Sequence, residues 1–145
     1  MASRAITIAD AWARFGDLGR LSLIGGALLM PLRRRDPDAS FDALTALLAS
    51  AAVCKTIKPF VHSRRPNGED NKSFPSQHAA ECFAAGLALR RHLGDPLGAA
   101  AVGTATLVSM SRLFARKHRT IDVVAGIAIG AAAGIAVCAY ESGSA

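Results

Sequence analysis

From Ile121 to Tyr140 the chain carries about 20 residues that are apolar throughout except for Asp122 near the start. A run of this length matches the hydrocarbon thickness of a bilayer, so it predicts a membrane-spanning helix over about 120–140. Gly126, Gly130 and Gly134 recur at every fourth position. Such a ladder of small residues lets helix backbones approach closely in lipid, so the helix is expected to pack tightly against a neighbour.

Four more apolar segments upstream predict helices, each bounded by residues that interrupt a helix. Their predicted ranges are Leu21–Leu32, about 41–58 with a cap at Ser40 or Asp42, about 75–91, and about 97–113. With roughly 12 to 17 apolar residues each, these helices cross a bilayer only if flanking arginines reach to the headgroups. A soluble bundle stays open as an alternative, because the mean hydropathy is only +0.28.

Residues 5–19 predict an amphipathic helix, because apolar and charged side chains recur on separate faces. The apolar face holds Ile8, Trp12 and Phe15, and the charged face holds Asp10, Arg14 and Asp17. Such a helix suits a membrane interface, although a helix packed on a soluble core fits the segment equally well. The predicted fold is an all-α helical bundle, a single domain over residues 1–145. It has about five apolar helices and this N-terminal amphipathic interfacial helix.

Composition and charge narrow the function classes. Apolar residues make up 51% of the chain and charged residues 19%, which excludes a disordered or nucleic-acid-tail protein. A net charge of +6 favours an anionic partner, which is a phosphate, an anionic lipid surface or a nucleic acid. Cys54, Cys82 and Cys138 are isolated within apolar runs and lack metal-ligand spacing, so they are predicted to be small buried residues.

Most of the unusual polar residues fall in three short stretches, Lys58–Pro66, Phe74–His78 and Ser111–Asp122. The first stretch ends one predicted helix and the second begins the next, so both lie at the same end of the bundle. The next two helices run away from that end and back again, which returns the third stretch to it. Chain reversal alone therefore predicts that the three stretches meet.

These stretches hold three fixed cations, Lys58, Arg65 and Arg112. The planar guanidinium of arginine matches phosphate oxygens, and lysine adds a point charge. A helix that opens at Pro75 and Ser76 leaves backbone N–H groups free to bind an anion, assisted by the helix dipole. The combination is typical of a phosphate-binding site.

Two histidines supply reactive groups. His118 and Asp122 are four positions apart, which on one helix face puts the carboxylate within hydrogen-bonding reach of the ring. A carboxylate bonded to one ring nitrogen fixes the tautomer and leaves the other nitrogen free to attack. His78 is a second histidine, free to act as an acid. Cations, a helix N-terminus, an oriented nucleophile and a proton donor are the parts of a phosphoryl-transfer site.

In these motifs the sequence resembles the type 2 phosphatidic acid phosphatase superfamily, which includes bacterial acid phosphatases and vanadium haloperoxidases. The signature of that family is K-x6-RP, PSGH and SR-x5-H-x3-D. The matching residues are Lys58, Arg65-Pro66, Pro75-Ser76, His78, Ser111-Arg112, His118 and Asp122, spread over about 65 positions. The one exception is Gln77, where the family usually has glycine.

The resemblance implies a phosphatase that needs no metal and no cofactor and that forms a phosphohistidine intermediate. It implies that His118 is the nucleophile, that Asp122 orients it, and that His78 protonates the leaving group. The residues implied to hold the phosphate are Lys58, Arg65, Ser76, Gln77 through its backbone N–H, and Arg112.

The glutamine at position 77 keeps the backbone donor that a glycine would offer. If the loop needs a positive φ there, glutamine costs about 1 kcal/mol, and if the residue is helical the cost vanishes. The Gln77 side chain is expected to crowd the phosphate or to contact the substrate. Glu81, three positions after His78, is a candidate partner of His78 or of Lys58.

The expected function is a membrane lipid phosphatase that hydrolyses a phosphate or diphosphate monoester of a polyprenol, phosphatidic acid or a related lipid. Its expected partners are the phosphorylated lipid and the bilayer, with no nucleic acid. The resemblance implies an integral protein of a bacterial inner membrane, with the site facing away from the cytoplasm. The basic residues at the two ends of the bundle are too evenly shared to decide the orientation.

Three alternatives stay open at this point. A phosphatase of water-soluble esters would carry the same motifs. A basic membrane- or nucleic-acid-binding protein would bind with a steep salt dependence and with no single essential charge. A haloperoxidase would need vanadate in place of phosphate.

Overall fold

The computed structural model describes residues 7–144, apart from the side chains of 138 and 141–144. Five helices follow one another along the chain. They are α1 (Ile8–Arg33), α2 (Pro37–Ile57), α3 (Gln77–Leu93), α4 (Leu97–Phe114) and α5 (Thr120–Ser144). Within residues 7–144 there is no strand, and one isolated β-bridge joins Ser63 to Lys72 in the loop between α2 and α3. The prediction of an all-α helical bundle is confirmed.

The N-terminal interfacial helix and the first apolar segment form one continuous helix, α1, of 26 residues. Thr7 begins it with a capping box. The Thr7 side chain accepts from the Asp10 N–H, and the Asp10 carboxylate accepts from the Thr7 N–H. The prediction of two separate helices was wrong because Asp17, which suggested an interfacial segment, and Arg20, which follows that segment, have partners on other helices. Their charges are therefore compatible with a helix that continues through the bundle.

Helix α2 begins at Pro37, earlier than the sequence pattern suggested. The capping residue is Asp36, whose carboxylate accepts from the Ala39 N–H at 3.1 Å, and neither Ser40 nor Asp42 takes that position. Pro37 can begin the helix because proline is favoured in the first turn, where its missing N–H costs nothing.

Helix α3 is the central element, because it packs against each of the other four helices. Its interface is built from small residues, so the neighbouring backbones lie close together. The buried apolar residues of α3 are Ala79, Ala80, Cys82, Ala84, Ala85 and Leu89. Cys82 and Cys54 are buried free thiols, as predicted. The side chain of Cys138 lies outside the described residues.

The outer surface of the bundle is rich in large apolar side chains. Exposed examples on four different helices are Leu21, Leu48, Leu107 and Ile135. The same four helices, α1, α2, α4 and α5, are long and apolar enough to cross a membrane. Such extensive exposed apolar surface is unusual in soluble proteins and suits contact with lipid, which indicates a membrane protein.

The glycine ladder of α5 faces α3, so the predicted close approach occurs inside this chain. A methyl group at Gly126 would overlap the Ser76 carbonyl oxygen, and one at Gly130 would overlap the Ala80 carbonyl oxygen. Backbone carbonyls cannot move aside as a flexible side chain can. The absence of a side chain at these two positions therefore sets the distance between α5 and α3.

We expect Gly130→Ala to destabilise the protein by about 1–3 kcal/mol, because the added methyl group forces the two helices apart. The matched control is Gly103→Ala in α4, where an added methyl group has nothing within 4 Å. That variant should be neutral or more stable by up to about 1 kcal/mol, since alanine favours a helix more than glycine does. Thermal unfolding in detergent measures both. Equal melting temperatures for the two variants would contradict the packing argument.

Candidate active site

The three polar stretches meet at one end of the bundle, as chain reversal predicts. The Lys58 Nζ donates to the Pro75 carbonyl at 2.8 Å, which joins the first stretch to the second. The Ser76 N–H donates to the Asp122 carbonyl at 2.9 Å, which joins the second stretch to the third. Backbone and side-chain contacts therefore hold the three stretches together.

His118 lies in the short segment between α4 and α5 and is 5% exposed. Its Nδ1 lies 2.8 Å from the carbonyl oxygen of Ser73. A carbonyl oxygen can only accept, so Nδ1 carries the proton and donates it. The other ring nitrogen, Nε2, is therefore the one that keeps a lone pair when the ring is neutral.

Asp122 does not bond His118 directly, contrary to the prediction from their spacing. Its Oδ2 is 3.9 Å from the Nδ1 of His118, which is too far for a hydrogen bond. The spacing misleads because α5 begins only at Thr120, so the two residues do not share a helix face. Oδ2 instead accepts from the Ser73 hydroxyl at 2.5 Å and from the Arg119 N–H at 2.8 Å. Asp122 thus reaches His118 through Ser73, which both residues contact.

Burial, together with the positive charges of Arg65 and Lys58, lowers the pKa of His118 from 6.5 to about 3. The Ser73 carbonyl and the Asp122 carboxylate oppose that shift by favouring the charged ring. The net result is an imidazole that stays neutral at neutral pH. A neutral ring is the form that can act as a nucleophile.

Lys58 caps the end of α2 and turns its ammonium group toward the second stretch. Its Nζ donates to the carbonyls of Pro75 and Lys72, at 2.8 Å and 3.1 Å. Burial lowers the pKa of Lys58 below its ordinary value, and the neighbouring charge of Arg65 lowers it further. Two like charges are therefore held close together, an arrangement that an anion would stabilise.

Arg65 is held in place from two sides. Its Nε donates to the Asp70 carboxylate at 2.8 Å, and its Nη1 lies 3.4 Å from the Lys117 carbonyl. The charge of Arg65 acts on both His118 and Arg112. Arg65 is thus close to His118 and also to Arg112, which belongs to a second group of predicted site residues.

That second group contains His78 and Arg112, and a carboxylate of α1 joins them. The Asp17 Oδ1 lies 2.9 Å from the His78 Nε2 and 3.0 Å from the Arg112 Nη1. Arg112 also donates to the Ala13 carbonyl at 3.2 Å, and its Nε is buried with no partner among the described residues. The proton donor and one cation of the predicted site are therefore positioned by the first helix.

The N-terminus of α3 lies between these two groups. Ser76 is its capping residue, fully buried, and its hydroxyl oxygen is 3.5 Å from the Ala79 N–H. The first-turn N–H groups of Gln77 and His78 have no acceptor in the part of the chain that the structure describes. Free N–H groups at the start of a helix can bind an anion.

Gln77 is the first residue of α3, so it is helical and its replacement of glycine carries no cost from a positive φ. The Gln77 side chain was expected to crowd the phosphate or to contact the substrate. It instead donates through Nε2 to Glu81 Oε1 at 2.7 Å. Among the described residues Glu81 hydrogen-bonds neither His78 nor Lys58. Its second oxygen accepts from the Arg20 Nε at 2.5 Å, which corrects the predicted partners.

Two residues that contact the predicted site had not been identified from the sequence. Ser73 acts through its carbonyl and its hydroxyl, and no pattern around a lone serine would have revealed this. Asp17 offered a signal, because a carboxylate inside a helix long enough to span a membrane is rare and is usually functional. It was assigned to the polar face of an interfacial helix because the helix was predicted to end near it.

We expect Gln77→Gly to keep hydrolytic activity, because the backbone N–H remains. Its free energy of unfolding should fall by up to about 1 kcal/mol, since residue 77 is helical. Gln77→Ala is the matched variant, because it also loses the bond to Glu81 but keeps a good helix former. Kinetics and melting temperature on the same lipid panel measure both effects. A wild type inactive on every lipid, with only the glycine variant turning over, would show that Gln77 marks a degenerate site.

Comparisons with known proteins agree with this geometry. The PAP2 superfamily profile matches residues 67–143, which include the second and third stretches but not Lys58 or Arg65. Decaprenylphosphoryl-5-phosphoribose phosphatase of Mycobacterium tuberculosis, found in two strains, is 31% identical over 150 residues. That match covers 95% of this chain and 81% of the relative. The crystal structure of LpxE from Aquifex aeolicus matches the fold with a TM-score of 0.79 at 22% identity, covering 96% of this chain and 89% of that one.

Proposed function

Because the chain belongs to the PAP2 superfamily, we propose that this phosphatase is an integral-membrane enzyme that hydrolyses a phosphate or diphosphate monoester of a lipid. The supporting observation is a cluster of cations and two histidines at one end of a bundle whose outer surface is apolar. A substrate that reaches this site from the bilayer has a phosphate at one end and a hydrocarbon chain beside the helices. The mycobacterial relative is named for a prenyl-linked sugar phosphate, so prenyl-linked phosphates are the first class to test.

The phosphate would be held by Lys58, Arg65 and Arg112 together with the first N–H groups of α3. The buried Nε of Arg112 lacks a partner among the described residues, and a phosphate oxygen would supply one. The arginines give directional hydrogen bonds to the phosphate oxygens, and the lysine attracts the same oxygens as a point charge. Ser76 could add its hydroxyl hydrogen, because in its capping role it only accepts.

His118 would be the nucleophile. Donation from Nδ1 to the Ser73 carbonyl leaves the lone pair on Nε2, and the low pKa of the ring keeps that lone pair available. Nε2 attacks phosphorus and forms a phosphorus–nitrogen bond while the bond from phosphorus to the ester oxygen breaks. Asp122 and Ser73 then act as positioning residues, which stabilise the positive charge that develops on the ring.

His78 would protonate the ester oxygen as it leaves. Burial and the charges of Arg112 and Arg20 lower the pKa of His78 to about 4. The Asp17 carboxylate, which accepts from a protonated ring, opposes that shift. In the second step water attacks the phosphohistidine and gives one proton to His78, which restores the acid. The phosphorus–nitrogen bond breaks, inorganic phosphate leaves, and the imidazole of His118 returns. One water molecule is consumed for each alcohol or lipid phosphate released.

We further propose that the enzyme resides in a bacterial inner membrane with its site on the side away from the cytoplasm. The membrane character is supported by the four long apolar helices, and the orientation rests on the family resemblance. Accessibility of a single cysteine introduced at exposed Asn71, in the loop beside the site, would report the orientation in intact cells.

Phosphate release from a lipid panel in detergent tests the function directly. The panel contains a prenyl monophosphate, a prenyl diphosphate and phosphatidic acid, with p-nitrophenyl phosphate as a water-soluble ester. We expect at least one lipid to exceed the water-soluble ester in kcat/KM. We expect EDTA to leave the rate unchanged, because three fixed cations neutralise the phosphate, and vanadate to inhibit as a phosphate mimic. Activity lost in EDTA and restored by magnesium would contradict this mechanism, and turnover of the water-soluble ester alone would contradict the lipid substrate.

A further inference from the structure

Arg20 is a charged residue near the middle of α1, a helix long enough to span a membrane. Charged side chains at such positions are costly, usually face the interior of a bundle, and often line a substrate path. The Nε of Arg20 donates to Glu81 Oε2 at 2.5 Å, and the Glu81 side chain is 7% exposed. The buried carboxylate therefore fixes the guanidinium in one orientation.

The pairing with Glu81 uses only a small part of the hydrogen-bonding capacity of Arg20. A guanidinium has five N–H donors, and here one is bonded. No described side chain or carbonyl accepts from Nη1 or Nη2, and the Arg20 side chain is 30% exposed. Donors on two adjacent nitrogens are thus available to bind an anion that enters from outside the protein.

The position of Arg20 relative to the reacting groups follows from the two helices that carry it and its partner. Asp17, which contacts His78, precedes Arg20 by three residues on α1, and Glu81 follows His78 by three residues on α3. Residues three apart lie on the same helix face, separated by about 4.5 Å along the axis. The Arg20–Glu81 pair therefore lies nearly one helical turn deeper in the bundle than His78. The charge of Arg20 acts on the His78 ring, which agrees with that proximity.

The leaving group must occupy this region if the proposed function holds. The attacking nitrogen and the ester oxygen lie on opposite sides of phosphorus in a displacement. The ester oxygen is thus next to His78, and whatever is attached to it continues away from His118. A hydrocarbon chain belongs in the bilayer, so the path leads from the end of the bundle along α1 and α3, past Arg20.

We propose, on the basis of the proposed function, that Arg20 is a specificity-determining residue that binds a second phosphate group in the leaving group. Two kinds of lipid have such a group, a lipid diphosphate and a sugar phosphate joined to the lipid by a phosphodiester. The leaving group of a lipid monophosphate is a neutral alcohol and gives Arg20 no anion to bind. The enzyme therefore prefers substrates with two phosphates.

The same arrangement gives Gln77 a function. Its Nε2 donates to one oxygen of Glu81, and the other oxygen is then directed to Arg20. A glycine at position 77 would leave the first oxygen without this partner. Gln77 is therefore a positioning residue for Arg20, acting through Glu81.

The test compares kcat/KM for three lipids with the same prenyl chain: a monophosphate, a diphosphate and a phosphodiester-linked sugar phosphate. We expect Arg20→Gln to lower kcat/KM for at least one of the two-phosphate lipids about 10- to 100-fold more than for the monophosphate, mainly through KM. The lipid that loses more identifies the source of the second phosphate. Arg20→Lys should restore part of the preference, because it keeps the charge. Arg14→Gln, which removes an exposed arginine of the same helix, is the matched control.

Arg20→Gln leaves Glu81 buried without a countercharge and could unfold, so the double variant Arg20→Gln/Glu81→Gln accompanies it. The double variant removes both charges and keeps groups that can hydrogen-bond each other. Equal losses on all three lipids in a folded variant would overturn the role of Arg20 while leaving the phosphatase function intact. A wild type that releases phosphate from none of the three would overturn both proposals.

Discussion

His118→Ala should abolish phosphate release, with a loss of at least about 10⁴-fold in kcat. No other histidine can replace it, because the Ser73 carbonyl and the Asp122 carboxylate are arranged around its ring alone. The variant should also form no phosphoenzyme. The measurement uses a lipid labelled in the phosphate and an alkaline quench, since a phosphorus–nitrogen bond is labile in acid.

The matched control for this variant is His62→Ala, which removes an exposed histidine from the loop between α2 and α3. It should keep both turnover and phosphoenzyme formation. A melting temperature in detergent shows whether His118→Ala remains folded, because the side chain is buried. A folded His118→Ala that still carries label on a histidine would assign the nucleophile to another residue.

His78→Ala should fail in a different manner. Its kcat should fall by about 10²–10⁴-fold on a lipid phosphate, because the leaving alkoxide no longer receives a proton. A substrate with a good leaving group, such as p-nitrophenyl phosphate, does not need that proton. The ratio of wild-type to variant rates should therefore shrink markedly on the activated ester.

Comparison with His118→Ala on the same activated ester separates the two roles. The nucleophile is required whatever the leaving group, so His118→Ala should gain nothing. Asp17→Asn is a second test of the acid, since it removes the carboxylate that bonds His78 and should lower the rate on the lipid more than on the activated ester. Equal rescue of His78→Ala and His118→Ala would contradict the assignment of acid and nucleophile.

The sequence predicted the helices and the meeting of the three stretches, because both follow from local signals. Apolar runs and prolines set the helix boundaries within a few residues, and chain reversal needs no knowledge of side-chain contacts. The fusion of the first two segments into α1 was not predictable in this way. It depends on tertiary partners of Asp17 and Arg20, which lie 61 or more positions away in the chain.

The site was predictable in residue type but not in its connections. Spacing along the chain suggested that Asp122 bonds His118, but the start of α5 falls between them and Ser73 provides the contact. Spacing also suggested that Glu81 bonds His78 or Lys58, but its partners are Gln77 and, from α1, Arg20. A sequence pattern identifies which groups a reaction needs, whereas the choice among several possible partners is made by the packing of whole helices.

The packing of α5 on α3 also sets the geometry in which the reaction would take place. Asp122 in the first turn of α5 and Ser76 at the cap of α3 are joined by a backbone hydrogen bond, and a methyl group at Gly126 would overlap the Ser76 carbonyl oxygen. His118, the proposed nucleophile, precedes α5, and His78, the proposed acid, is in the first turn of α3, so the distance between α5 and α3 sets the separation of the two histidines. A methyl group added at Gly126 would take no part in the reaction. It would nevertheless push α5 away from α3 and so increase the distance between the two histidines on either side of the phosphorus atom. Turnover should therefore be sensitive to apolar substitutions that leave every polar group of the site in place.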